Sequence, residues 1–205
     1  MHIGIFGGSF DPVHYGHLLL AEACRDQSKL DRIIFLPAGT PPHKQNAQQT
    51  PADHRLAMLK LAIGGNDSFE ISTMEIDRGG ISYTVDTLQQ IHQTHPQDKL
   101  YFLMGADSLA EMGSWRSPKE ICELACPIVV RRAGSPDPNI EVLSEIVDQQ
   151  RLKTIQQCQV KMPVIELSST GIRQAIANGQ RIRYQTPRAV EVYIRENGLF
   201  QPEDA

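Results

Sequence analysis

Two histidines three residues apart follow a glycine doublet near the start of the chain, in Gly7-Gly8-Ser9-Phe10-Asp11-Pro12-Val13-His14-Tyr15-Gly16-His17. Glycines after a short apolar run let the backbone approach a ligand closely. A helix beginning at the histidines would leave its first N–H groups without intrahelical acceptors, which makes an anion site. His14 and His17 would share one face of it. Imidazoles, unpaired N–H groups and the positive end of a helix dipole would then meet in one small volume, and that suits a polyphosphate. The segment has neither the Gly-Lys-Ser/Thr of a Walker loop nor the Gly-x-Gly-x-x-Gly of a dinucleotide fingerprint. Metal-binding histidine pairs on helices usually stand four apart with a third ligand, unlike this pair. The plain alternative is a glycine-rich turn with two surface histidines.

Further groups could join them. Lys44, in Pro41-Pro42-His43-Lys44, is a point charge on a long loop. Such a lysine can follow a phosphate or stay in solvent. Ser168-Ser169-Thr170-Gly171-Ile172-Arg173 opens a late helix. There Ser169 and Thr170 can offer hydroxyls and N–H groups to an anion, and Arg173 a cation one turn on. The same residues also read as an ordinary cap and a surface arginine. Gly105 ends an apolar run and Asp107 follows, at the kind of strand end where open α/β sheets bind ligands. Asp107 equally reads as a helix cap. Trp115, the single tryptophan, offers one large apolar face.

Short apolar runs must hold these groups. They predict strands over 2–6, 32–36, 100–104, 127–130 and 164–167, with a weaker strand pattern over 69–76. Helical periods lie between them, over 14–27, 52–63, 84–95 and 140–154. This alternation implies an α/β fold, a Rossmann-like doubly wound parallel sheet with helices on both faces. The loop over 37–51 exceeds ordinary connection lengths, so it is functional or mobile and should order when substrates bind. Ser169-Thr170 caps a helix to about Asn178, with Gly179 beyond its end. Thr186-Pro187 opens another, closed by Asn197-Gly198. We expect one domain over 1–205: a Rossmann-like core over 1–167 and a small C-terminal helical part over 168–205 packed on it.

Composition removes several function classes. The 24 acidic and 20 basic residues give a net charge of −4, a poor basis for nucleic-acid binding through phosphate neutralisation. The 4 cysteines, Cys24, Cys122, Cys126 and Cys158, are too scattered for a disulfide framework. Cys122 and Cys126, four apart in an expected helix, lack a second pair for zinc and read as buried small hydrophobes. No stretch approaches the ~20 apolar residues of a membrane span, and the opening apolar run is too short for a signal peptide. The cytoplasm is the expected compartment.

Taken in order, His14-Tyr15-Gly16-His17, Pro41-Pro42-His43-Lys44, the run from Glu75 through Ser82-Tyr83-Thr84 to Asp86-Thr87-Leu88, Phe102 to Ser108 with Trp115, and Ser168 to Arg173 resemble a known set. The resemblance is to the bacterial nicotinate-nucleotide adenylyltransferases, in the nucleotidyltransferase α/β-phosphodiesterase superfamily. It runs from Met1 to about Phe200. The His-x-Gly-His theme alone also occurs in class I aminoacyl-tRNA synthetases and names no substrate.

The resemblance implies transfer of the adenylyl group of ATP to nicotinate mononucleotide, giving deamido-NAD and pyrophosphate. It implies ATP contacts from Gly8, Ser9, Phe10, His14, His17, Gly105, Asp107, Arg132, Ser169, Thr170 and Arg173. Contacts to the mononucleotide would come from Ser9, Lys44, Tyr83, Thr84 and Trp115. His17 would be the main transition-state contact, with His14, Lys44 and Arg173 beside it. The attacking phosphate is already an anion, so the work is joining two polyanions and stabilising the charge that builds. Mg²⁺ would arrive with ATP rather than occupy a site of its own. Asp11 is the nearest helper for it, and equally a turn residue before Pro12. The chain departs from the family in Arg132-Ala133-Gly134, where Arg-Pro-Gly is common, which leaves Arg131 and Arg132 both open as the inward group. It departs again in Tyr184-Gln185, where a more apolar pair is common. Two alternatives share the first motif. One is phosphopantetheine adenylyltransferase, whose chains tend to be shorter and for which the Ser82-Tyr83-Thr84 block and Trp115 argue poorly. The other is a non-catalytic nucleotide-binding protein, which should have lost a histidine or the Ser-Thr cap. Homo-oligomerisation is left open.

Overall fold

Ile3, Ile5 and Phe6 are all buried, as in a strand covered on both faces. They belong to β1 (His2–Gly8), the middle of a five-stranded sheet in a computed structural model that describes residues 1–40, 49–130, 138–163 and 165–202. The other strands are β2 (Arg32–Pro37), β3 (Phe69–Ile71), β4 (Lys99–Gly105) and β5 (Ala125–Val130). They run in the order β3-β2-β1-β4-β5, and every pair is parallel. From β1 the chain first builds outward through β2 and β3, then returns to lay β4 and β5 on the other side. The reversal opens a crevice between the ends of β1 and β4, the usual place for a ligand in such sheets.

Helices cover both faces. Helix α1 (Tyr15–Gln27) and α2 (Ala52–Ile63) bury Leu20, Ala21, Cys24, Met58 and Leu59 on one side, with Ile33, Phe35 and Leu103 of the sheet. The same core takes Ile172 from α8 (Ser169–Ala177), and Val190 and Ile194 from α9 (Arg188–Glu196). On the other side, α4 (Thr84–Thr94), α6 (Pro118–Leu124) and α7 (Gln149–Gln157) pack Leu88, Ile121, Leu152 and Ile155 against Ile5, Leu100 and Val129. Two short helices, α3 (Met74–Arg78) and α5 (Ala106–Glu111), lie beside the crevice. Among the described residues, no helix is long and apolar enough to cross a membrane.

Several local expectations need correcting. Only Phe69–Ile71 of the 69–76 run is strand; the rest turns into α3. The helix expected over 140–154 is a 3₁₀ segment, Ile140–Glu145, followed by α7. The break comes where Asp148 accepts the Arg151 N–H at 2.7 Å and starts a fresh helix. Residues 165–167 form no strand, and Val164 lies outside the described residues. The edge of β5 where a further strand would pair is taken by Gln159. Its side chain accepts the Val129 N–H at 2.9 Å and donates to the Pro127 carbonyl at 3.1 Å. Cys126 sits on β5 and not in the helix of Cys122. The cap of α8 is Ser168, which accepts the Gly171 N–H at 3.0 Å, one residue before the expected Ser169. Pro187 is likewise the cap of α9 and not its first residue.

Candidate active site

A cleft of about 640 Å³ lies at the carboxyl ends of β1 and β4. Gly8, Ser9, His14 and His17 line one side, and Ser168, Ser169, Thr170 and Arg173 join them from the late helix. Tyr83, Thr84, Gly105 and Trp115 also line it. The chain thus brings its early, middle and late motifs to one place.

Among the described residues, three helices of eight or more residues begin at this cleft: α1 after His14, α4 after Tyr83 and α8 after Ser168. Each presents first-turn N–H groups and a positive dipole end. A cleft built this way favours ligands with several separated negative charges.

The histidine geometry is specific. The rings of His14 and His17 stack at 3.7 Å between centroids, 25° from parallel. The His14 backbone N–H donates to His17 Nδ1 at 3.3 Å. An accepting Nδ1 puts the ring proton of neutral His17 on Nε2, so that nitrogen is a donor. His14 is buried, and its ring lies against Gly16: a Cβ there would sit 2.9 Å from His14 Cε1 and Nδ1. Glycine at this position is therefore a packing requirement of the histidine pair. Phe10 is 1 % exposed and packs edge-on to the His17 ring at 5.1 Å between centroids. Its side chain belongs to the core beside Phe6 and Phe35, not to the cleft wall, so any ATP contact it makes is through its backbone.

Helix α8 is stitched to the turn that precedes the histidines. Ser169 Oγ donates to the Pro12 carbonyl at 2.9 Å, and Arg173 donates to the Asp11 carbonyl at 2.7 Å. A second Arg173 nitrogen reaches Thr170 Oγ1 at 3.3 Å. The α1 and α8 termini are held in fixed relation by these bonds. Asp107 is exposed on the first turn of α5 and does not line the cleft, whereas its neighbour Ser108 does. Lys44, Arg131 and Arg132 lie outside the described residues, as does most of the long loop.

The middle motif is organised by a residue whose role the sequence did not disclose. Glu75 is buried, and it accepts from Thr87 Oγ1 at 2.8 Å. Thr87 in turn accepts from Arg78 at 2.8 Å. Burial holds the Glu75 carboxyl above its ordinary range, against hydrogen bonds from Thr87 and Ser82 and the charge of Arg78. Ser82 also accepts the Gly39 N–H at 3.2 Å. Glu75 therefore grips both ends of the Ser82–Thr87 stretch that starts α4. Trp115 packs edge-on to Phe102 at 6.1 Å, and the Arg116 guanidinium lies 4.9 Å from the centre of the Tyr83 ring while pairing with Asp86 at 3.1 Å.

Arg55 is a second such residue. It is 2 % exposed and donates to the carbonyls of Ser9 at 3.0 Å, Ala38 at 2.9 Å and Thr50 at 3.0 Å. It ties the glycine turn to both flanks of the long loop. Burial lowers its pKa, and the nearby Asp11 carboxylate opposes that. A signal for it exists: Arg55 shares a helical face with Met58, Leu59 and Ala62, a charge inside an apolar stripe. Glu75, in Glu75-Ile76-Asp77-Arg78, carries no comparable local signal.

A family profile described as cytidylyltransferase-like matches residues 5–175. A protein of Thermomicrobium roseum, named a "probable nicotinate-nucleotide adenylyltransferase", is 42% identical over 203 residues, covering 99% of this chain and 93% of the relative. One of the same name from Geobacillus thermodenitrificans is 43% identical over 97% of this chain and 85% of its own length. Among solved structures, the nicotinic acid mononucleotide adenylyltransferase of Plasmodium falciparum, complexed with NaAD, aligns over 97% of both chains with a TM-score of 0.76. Its 19% identity makes this a likeness of fold. Near-full-length identity above two fifths to relatives of one name, together with the profile match, places the chain in a single group: it belongs to the nicotinate-nucleotide adenylyltransferase family of cytidylyltransferase-like nucleotidyltransferases.

Proposed function

We propose that the cleft joins ATP to nicotinate mononucleotide, with the mononucleotide phosphate attacking the α-phosphorus in line and pyrophosphate leaving. The observation that carries this reading is the convergence of three helix N-termini on one cleft beside the Nε2–H donor of His17. Two of those termini, α1 and α8, are stitched together and serve the triphosphate. The third, α4, stands apart at Tyr83 and Thr84 and serves the pyridine carboxylate.

The reaction adds negative charge where two anions meet. His17 donates to the oxygens around the α-phosphorus, and its charge stabilisation grows as the transition state forms. Arg173, Ser169 and Thr170 hold the outer phosphates, which become the leaving pyrophosphate. His14 acts mainly by holding His17: its backbone fixes the proton on Nε2 and its ring stacks beneath. Gly8 and Ser9 supply a backbone that a phosphate can approach, and Gly105 lets the nucleoside lie across the end of β4. Lys44 and Arg132 are assigned by family likeness to the attacking phosphate and to ATP. Asp107 is assigned to ATP by family likeness alone; it is exposed on the first turn of α5, beside the cleft-lining Ser108.

At the other end, first-turn N–H groups of α4 face the substituent on the pyridine ring. A carboxylate accepts from every one of them, while a carboxamide presents a donor to at least one. Trp115 stacks on the cationic ring and contributes affinity to either form. Mg²⁺ enters as part of the ATP substrate. We place the enzyme in the cytoplasm. Incubating the purified chain with Mg²⁺-ATP and nicotinate mononucleotide tests the reading: deamido-NAD and pyrophosphate should form in equal amounts. ATP binding without pyrophosphate release would contradict it.

A further inference from the structure

A second hollow, of about 590 Å³, opens at the other end of β4, where Lys99, Leu100 and Tyr101 begin the strand. It takes no part in the chemistry above. Cys126, Cys158, Arg151 and Thr154 complete much of its wall. Two cysteines from distant parts of the chain thus face one space beside a guanidinium.

Their positions are fixed. Cys126 is buried on β5, 6 % exposed. Cys158 is half-buried at the end of α7, where its N–H donates to the Ile155 carbonyl at 3.1 Å. The next residue, Gln159, is clamped to β5 through Pro127 and Val129, so the end of α7 cannot drift from the strand. Arg151 donates to the carbonyls of Cys122 at 2.7 Å and Ala125 at 3.0 Å, which seats its charge beside the Cys126 backbone. A positive group and partial exposure are the surroundings that make a thiol reactive.

We infer that Cys158 and Cys126 form a peroxide-reactive thiol pair, Cys158 the attacking sulfur and Cys126 the resolving one, which closes a reversible disulfide between the end of α7 and β5. The oxidant is a hydroperoxide. The Cys158 thiolate attacks one peroxide oxygen; an S–O bond forms, the O–O bond breaks, and the departing oxygen takes a proton. Cys126 then loses its proton and attacks Cys158; the S–S bond forms, the S–O bond breaks, and water leaves with that proton. Two thiols are oxidised by two electrons, and with hydrogen peroxide two waters result.

Hydrogen bonding to Cys158 first, and then burial, hold the Cys126 thiol above its ordinary range, which suits the resolving and not the attacking sulfur; the remaining thiols are raised as well. Cys24 and Cys122 are both fully buried, and burial pushes their thiols up to about 12 and about 11. The Cys158 thiol is shifted the other way, by hydrogen bonding from Cys126 first and by the charge of Arg151, against the cost of burial. In a reducing compartment such a bond would be transient, formed under peroxide and reversed by thiols.

The test uses the full chain with all four cysteines. Trace iodoacetamide at pH 7 should label Cys158 on the order of ten times faster than Cys24 or Cys122. Hydrogen peroxide should then remove two hydrogens from the intact mass and yield one linked peptide pair, Cys126 with Cys158, restored by dithiothreitol. In Cys126→Ser the reaction should stop at a Cys158 sulfenic acid, captured by dimedone. Equal labelling of Cys24, Cys122 and Cys158 would overturn the inference without any variant. So would a disulfide between other cysteines, or peroxide treatment that carries Cys158 to sulfinic acid with Cys126 left as a thiol.

Discussion

Replacing Gly16 by alanine puts one methyl group against the histidine pair. The new Cβ would stand 2.9 Å from Cε1 and Nδ1 of His14. Carbon atoms settle at ~3.5–4.0 Å, so the His14 ring must retreat by about 0.6 Å or more. It has little room, being 5 % exposed and stacked on His17 at 3.7 Å. Its movement therefore carries His17 along and breaks the 3.3 Å bond that fixes the His17 proton on Nε2. A misplacement of ~1 Å in a positioned group costs about 10²-fold, so kcat should fall by about 10–100-fold. Stability should move much less. Overpacking costs ~1–3 kcal/mol, and alanine returns ~0.5–1 kcal/mol of helix propensity relative to glycine. The net loss of ~0–2.5 kcal/mol lowers Tm by no more than roughly 10 °C in a chain of this size. The assay is pyrophosphate release under saturating Mg²⁺-ATP and nicotinate mononucleotide, with a thermal melt alongside. A variant with kcat within twofold of wild type, or one with a raised Tm, would refute the packing argument and the role given to His14.

Other outcomes follow from the same geometry. Arg55→Met leaves the carbonyls of Ser9, Ala38 and Thr50 without their shared donor, and should cost about 2–4 kcal/mol of stability, read by urea unfolding; a loss below ~0.5 kcal/mol would contradict the structural role. Glu75 has a raised folded pKa, so the native state holds its proton longer than the unfolded chain, and its contribution to stability declines as pH rises from the ordinary carboxyl range through that folded value. The Tm of Glu75→Gln minus that of wild type should therefore climb with pH across this window and then level off; a flat difference from pH 4 to 8 would show that burial does not control the group. The α4 terminus predicts kcat/KM for nicotinate mononucleotide above that for the amide by about 10² or more, since a mispaired buried donor costs ~1–3 kcal/mol before lost charge assistance is counted. Trp115→Ala should weaken both substrates and leave their ratio within about threefold, and a collapsed ratio would move discrimination onto the tryptophan.

What the sequence disclosed about the fold was mostly local. Helix α2 is legible residue for residue because Met58, Leu59 and Ile63 repeat at helical spacing after Pro51. The glycine turn and His14-Tyr15-Gly16-His17 are contiguous, so their chemistry can be argued before any long-range contact is known. Helices α3 and α5 are too short to show a period, so their residues read as part of the neighbouring strand and turn. Residues 165–167 look like a strand because they alternate; only the structure reveals that Gln159 already occupies the β5 edge. Glu75 carries no local signal, and the apolar stripe that marks Arg55 as buried does not name its partners. Glu75 meets Ser82 and Thr87 only once α3 folds back on the start of α4, and Arg55 meets Ser9 and Ala38 only once α2 packs beside the glycine turn. Phe10 shows the reverse case. It sits inside a binding motif, yet its ring supports His17 from the core.

The central claim is that His17 donates through Nε2 to charge developing at the α-phosphorus. Single-turnover rates of wild type and His17→Ala, with Mg²⁺-ATP and nicotinate mononucleotide both saturating, test it most directly. Loss of one positioned donor costs ~3–4 kcal/mol, so the chemical step should slow by about 10²–10³-fold. Because His17 is only half-buried, Tm should stay within a few degrees of wild type. A variant that folds and turns over within about fivefold of wild type would contradict the claim.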